Sequence, residues 1–205
     1  MKKVLLTFMV IAAGLSVTVL DAGAQNNGPT RFQQEKQKWE QEMAQFRARS
    51  EQRRELNELA DSIAGVQAAA AVQNRDFVLE ADQVTFKNGY TAFVDSSTSF
   101  ISVKGNRAVV QISPSNFASG PNGVGGVTVD GTISGMQRMV DRKGGTTLSF
   151  NVCGIGINAQ IEVYMTPGTN RASATIYPNF NSNTVWIEGD IVPYENSGVF
   201  EGMSL

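Results

Sequence analysis

Two pairs of acids raise the question of chemistry first. Glu80 and Asp82, and again Glu188 and Asp190, stand two residues apart in segments where polar and apolar residues alternate. On a strand this puts both carboxylates of a pair on one face, at a spacing of roughly 7 Å. Glycoside hydrolysis uses two acids at about such a separation. Catalytic acids, however, usually face each other across a cleft from different elements, whereas neighbours on the polar face of an antiparallel strand are ordinarily solvated. The pairs are therefore read as surface charge, and no catalytic residue is assigned. Trp186 shares the polar face of the second pair, and Tyr164 and Tyr177 fall in polar phases. Such aromatics either stack on sugars or lie beneath another element.

Absences narrow the chemistry further. The chain has no histidine and one cysteine, Cys153, which rules out Ser-His-Asp and Cys-His catalysis and ordinary zinc sites. No acidic loop with calcium-site spacing is present, so neither a metal nor a cofactor is expected. Cys153 has no base or positive charge close in sequence to activate it and reads as a small buried hydrophobe. The run Ser119, Gly120, Pro121, Asn122, Gly123, Val124, Gly125, Gly126 invites a phosphate-loop reading. It leads into a strand, Val127-Thr128-Val129-Asp130, where a phosphate loop would open a helix, and it lacks the terminal Lys-Ser/Thr. It is read instead as a wide loop at the mouth of a β domain, where a ligand would enter.

The element that must position these residues is an antiparallel sheet. From Gly126 to Pro193 the chain alternates with period two: Leu148, Phe150 and Val152 lie on one face, then Ile155, Ile157, Ala159, Ile161, Val163 and Met165 follow in the opposite phase. The phase flip at Cys153-Gly154 signals a bulge or tight bend, and a second bulge is expected near Asp82. Asn88-Gly89 and Gly105-Asn106 mark hairpins. No gap holds a convincing helix, so parallel crossovers are excluded. Eight to ten strands on short connections make either an up-and-down β-barrel or a two-sheet β-sandwich. Mid-strand glycines at Gly131, Gly154, Gly156 and Gly189 favour the barrel, because strongly coiled sheets bend at such positions.

Ahead of the β domain (76–205) lie three segments. Residues 1–24 read as a signal peptide, with Lys2 and Lys3, an apolar run, and a small-residue site cleaved after Ala24. Residues 25–30 are a linker, and 31–75 a charged amphipathic helix opened by a Thr30/Gln33 capping box. The chain from Gln25 carries 15 basic and 18 acidic side chains, net −3. That charge predicts no attraction to nucleic acid, and no membrane span is expected in the mature chain. The helix has two apolar stripes: Phe32, Trp39, Met43 and Phe46, then Leu56, Leu59, Ile63 and Val66. Either the Leu56–Val66 half packs on the β domain as a lid, or the Phe32–Phe46 stripe meets a protein partner or a second copy.

Four phrases resemble a known family: Asp76-Phe77-Val78-Leu79-Glu80-Ala81-Asp82, Ser119 to Gly126, Gly154-Ile155-Gly156-Ile157, and Pro178-Asn179-Phe180-Asn181-Ser182-Asn183. The chain from about Leu56 to Leu205 is similar to the secreted bacterial family, common in the Bacteroidota, catalogued as domain of unknown function 4251. The resemblance implies an exported β-barrel of lipocalin-like topology with an N-terminal helix, and it assigns no residue a role. Three functions follow, in order. The first is an exported, periplasmic or secreted, non-enzymatic binder of a small, partly apolar ligand in the barrel. The second is a structural or protein-interaction module using the helix, and the third a carboxylate-dependent glycan hydrolase.

Overall fold

The computed structural model describes residues 30–113, 126–154, 158–179 and 183–202. The chain divides into two compact units, Met1–Ala48 and Arg49–Leu205. Helix α1, Arg31–Asn74, runs from the first into the second. It starts where the capping box places it: Gln33 N donates to Thr30 Oγ1 at 3.4 Å and Thr30 N to Gln33 Oε1 at 3.0 Å, satisfying two of the donors that a helix start leaves open. It ends at Arg75, whose φ of 55° is the left-handed C-terminal conformation.

Among the described residues nine strands follow: β1 Asp76–Phe86, β2 Thr91–Phe93, β3 Phe100–Lys104, β4 Arg107–Ile112, β5 Val127–Val140, β6 Thr146–Gly154, β7 Asn158–Met165, β8 Arg171–Pro178 and β9 Val185–Pro193. From β3 to β9 each pairs antiparallel with the next, and β1 pairs with both β3 and β9. This closes an eight-stranded up-and-down barrel, with β2 a short flap on the far half of β1. Closure excludes the sandwich, since the β1–β9 ladder leaves no second sheet.

The predicted bulge is present, because Asp82 is the extra residue between Ala81↔Gly189 and Gln83↔Glu188. The phase flip at Cys153-Gly154 proves to be a chain reversal: β6 pairs with β7 from Thr146↔Met165 to Cys153↔Asn158. Ile155, Gly156 and Ile157 lie outside the described residues. At Gly131 and Gly189 a Cβ would stand 2.5 Å from Cys153 O and 1.9 Å from Glu80 O. Neighbouring backbones therefore approach as a coiled sheet requires, and only glycine fits.

The barrel interior is one continuous apolar cluster, with Phe77, Leu79, Ile101, Phe150, Ile161 and Ile187 among its most buried members. Ala68, Ala71 and Val72 of α1 join it. Gly65 lets the helix approach the β7–β8 turn, since a Cβ there would be 2.9 Å from Thr169 N. A second, smaller cluster sits on the outer wall, where Val78, Phe100 and Val109 pack with Val192, Tyr194 and Val199. Strands β1, β3 and β4 are thus apolar on both faces.

Candidate functional site

The acid pairs come together in space. β1 and β9 are neighbours with Glu80 opposite Asp190, and β8 brings Arg171 opposite Asp190. Arg171 donates through Nη1 and Nη2 to both Asp82 carboxylate oxygens, and it lies 3.7 Å from Asp190 and 3.9 Å from Glu188. The Asp82 hydrogen bond, joined by the charges of all three acids, raises the guanidinium pKa against the opposing effect of partial burial. Glu80 accepts a hydrogen bond from Ser197 Oγ at 2.6 Å. Three carboxylates on one fixed cation, all half-exposed on a convex wall, form a surface ion network and not an acid–base couple across a cleft. Among the described residues no group of acids or cysteine could hold a metal ion.

Trp186, Tyr164 and Tyr177 stand on the outer wall with about two-fifths of their surface exposed. Trp186 lies opposite Thr175 on one side and Thr85 on the other. Phe93 on β2 is far more exposed, at 79%. Sequence reasoning passed over it because a three-residue strand carries too little alternation to be phased. Cys153 corrects the buried reading: it is exposed, with Ser134 Oγ 3.8 Å from its sulfur. Val152 points inward, so its neighbour on the strand must point out.

Ser119, Gly120, Pro121, Asn122, Gly123, Val124 and Gly125 lie outside the described residues. Gly126 is described. It has a φ of 70°, and a Cβ on it would overlap Ile112 O. The Ile112↔Val127 pair that flanks the loop lies at the Phe86 end of β1, opposite the end that α1 joins.

The helix departs most from expectation. Leu56, Leu59, Ile63 and Val66 do not pack on the barrel; each keeps about three-fifths or more of its surface exposed. The barrel-facing residues are instead Gly65, Ala68, Ala71 and Val72. Residues 56 and 65, 59 and 68, and 63 and 72 are each nine positions apart, which is two and a half turns and hence the opposite face. Only small side chains suit this contact, because the helix comes so close to the β7–β8 backbone. In the first unit, Phe32, Trp39 and Phe46 are exposed and Met43 is partly covered.

The buried polar residues had not been singled out, and among them Gln111 makes the most bonds. Gln111 is fully buried on β4. Its Nε2 donates to Thr98 O and Phe200 O, both at 2.9 Å. Its Oε1 accepts from Thr128 Oγ1 at 3.1 Å and Gly202 N at 2.8 Å. The signal was a glutamine in the apolar run Ala108-Val109-Val110-Gln111-Ile112.

No helix among the described residues is long and apolar enough to cross a membrane. The sequence model of a family described as "Domain of unknown function (DUF4251)" matches residues 61–191. None of the curated proteins matches the chain. A crystal structure of a DUF4251 family protein from Bacteroides eggerthii is similar to this one at 46% identity and a TM-score of 0.61, covering 70% of this chain and 96% of that one. With the barrel shared and most of the β domain matched in sequence, the chain belongs to the DUF4251 family.

Proposed function

We propose that this protein is an exported, non-enzymatic interaction module: a self-filled barrel that carries a helix whose outward face docks another apolar helix. The observation that carries this reading is the stripe Leu56, Leu59, Ile63 and Val66, exposed on the face opposite the barrel. Large apolar residues at spacings of three and four are the anchors that a helical partner reads. The stripe offers on the order of 400 Å², about half of what one side of a standard interface buries. The contact is therefore a transient one. A small ligand held within the barrel, the first of the sequence-based expectations, would have to find room among the side chains of the single buried apolar cluster, which weighs toward the module.

The test is a photo-crosslinking residue at Ser62, beside the stripe, in the full chain expressed in its own envelope. A protein adduct that disappears with Leu59→Glu/Ile63→Glu, with the melting temperature retained, is the expected result. Native mass spectrometry that finds a co-purifying small molecule, with no protein adduct, would replace this reading with the ligand-binding one.

A further inference from the structure

The chain after β9 turns through a short 3-10 segment, Tyr194–Asn196, and lies along the outer wall of the barrel. It adds no strand to the sheet. Side chains and one loop carbonyl hold it much as a bound peptide is held. Phe200 N donates to Ser97 O at 2.8 Å. The Gln111 amide reads the carbonyl of residue 200 and the N–H of residue 202. Arg107 Nη2 donates to Glu201 Oε2 at 3.1 Å, and Tyr194 OH to Glu201 Oε1 at 3.3 Å. Val199 covers the apolar patch of Val78, Phe100 and Val109.

We propose that this outer wall is a peptide-binding groove occupied in cis by Ser197–Gly202, and that the segment is released as a unit. The groove then accepts an extended peptide with an aliphatic residue, a carboxylate two positions later and a free N–H after that. Release is local for three reasons. The barrel closes through β1 and β9, up to Phe77↔Pro193, without the segment. The segment's apolar anchor is one partly buried valine, and Gly198 and Gly202 bring no side chain to pack. Finally, Gln111 keeps its bonds to Thr98 O and Thr128 Oγ1 when the segment leaves, and water can take the other two positions.

Hydrogen exchange on the full chain tests the release. The amides of Phe200 and Gly202 are expected to exchange together, well before those of Ile161 and Val163 in β7. Glu201→Gln should speed the first pair about five-fold and leave the second unchanged. A single common rate for strap and barrel, or equal acceleration of both by Glu201→Gln, overturns the proposal. The groove is tested with Gly202→Pro, which removes the N–H bound to Gln111 while keeping the chain intact. A synthetic peptide of Ser197–Gly202 should bind this variant saturably, and its Glu→Gln form about five-fold more weakly. Equal binding of both peptides, or no binding to a variant whose strap amides exchange faster, overturns the groove.

Discussion

At the scale of single residues, glycine positions separate two physical costs. Gly189 lies where any Cβ would strike the Glu80 carbonyl, whereas Gly168 has a φ of 74° and nothing within 4 Å of a Cβ. Gly189→Ala should therefore cost about 2–4 kcal/mol through a backbone shift, and Gly168→Ala only about 1 kcal/mol of conformational strain. Urea unfolding of the two variants checks the order, and equal losses would mean that the β1–β9 spacing is softer than it looks. Asp95 is a second residue with a defined test. It accepts hydrogen bonds from Ser97 Oγ at 2.7 Å and Ser97 N at 2.9 Å, which hold its pKa below that of an ordinary aspartate. A depressed folded-state value means that the turn's contribution is present above the unfolded pKa and fades as pH falls through the folded one. Carboxyl chemical shifts in an acid titration should show Asp95 protonating at lower pH than a free aspartate, and Ser97→Ala should bring it back toward the free value.

Elements differ in what their faces will tolerate. The outward stripe of α1 carries the large residues and its barrel face the small ones, an inversion of the usual amphipathic helix. Leu59→Gln should change stability by less than about 0.5 kcal/mol. Ala68→Leu, in contact with the interior cluster, should cost about 1–3 kcal/mol by overpacking. Denaturation midpoints measured side by side check this, and a larger loss from Leu59→Gln would mean that the stripe is covered within the chain. The unit boundary between Ala48 and Arg49 leads to a second expectation. Removing residues 25–49 should leave one cooperative melt, because the buried positions of α1 all lie at Gly65 and beyond. A truncated chain without that transition would show that the charged half of the helix is needed for folding.

At the largest scale the β domain is a barrel closed between β1 and β9, so this ladder ties residues about a hundred positions apart. Contacts of that separation make folding slow and keep unpaired edges exposed until closure. Substitution at Gly189 should accordingly lower the refolding yield more than the loss of stability alone predicts, measured by dilution from urea. For location, the expectation is a mature chain that starts at Gln25 after export. N-terminal sequencing that still finds Met1 would refute it.

Local signals in the sequence determined the antiparallel class, the Asp82 bulge, the hairpins at Asn88-Gly89 and Gly105-Asn106, and the capped start of α1, because each of these is a local matter of period, φ and hydrogen-bond satisfaction. The match of loop phrases did the same for the family. Closure was legible only as a preference, carried by the mid-strand glycines: one interior-facing pattern serves barrel and sandwich alike until β9 is seen beside β1. Nor could sequence tell which face of α1 meets the barrel. Hydrophobicity pointed to Leu56–Val66, yet the space over the β7–β8 turn admits only Gly65 and alanines, and that distance is a property of two segments a hundred residues apart. The gathering of Asp82, Glu188 and Asp190 on Arg171, and of Phe200 and Gly202 on Gln111, arises in the same way. Strand order and register bring these groups together, and no single stretch of sequence contains them.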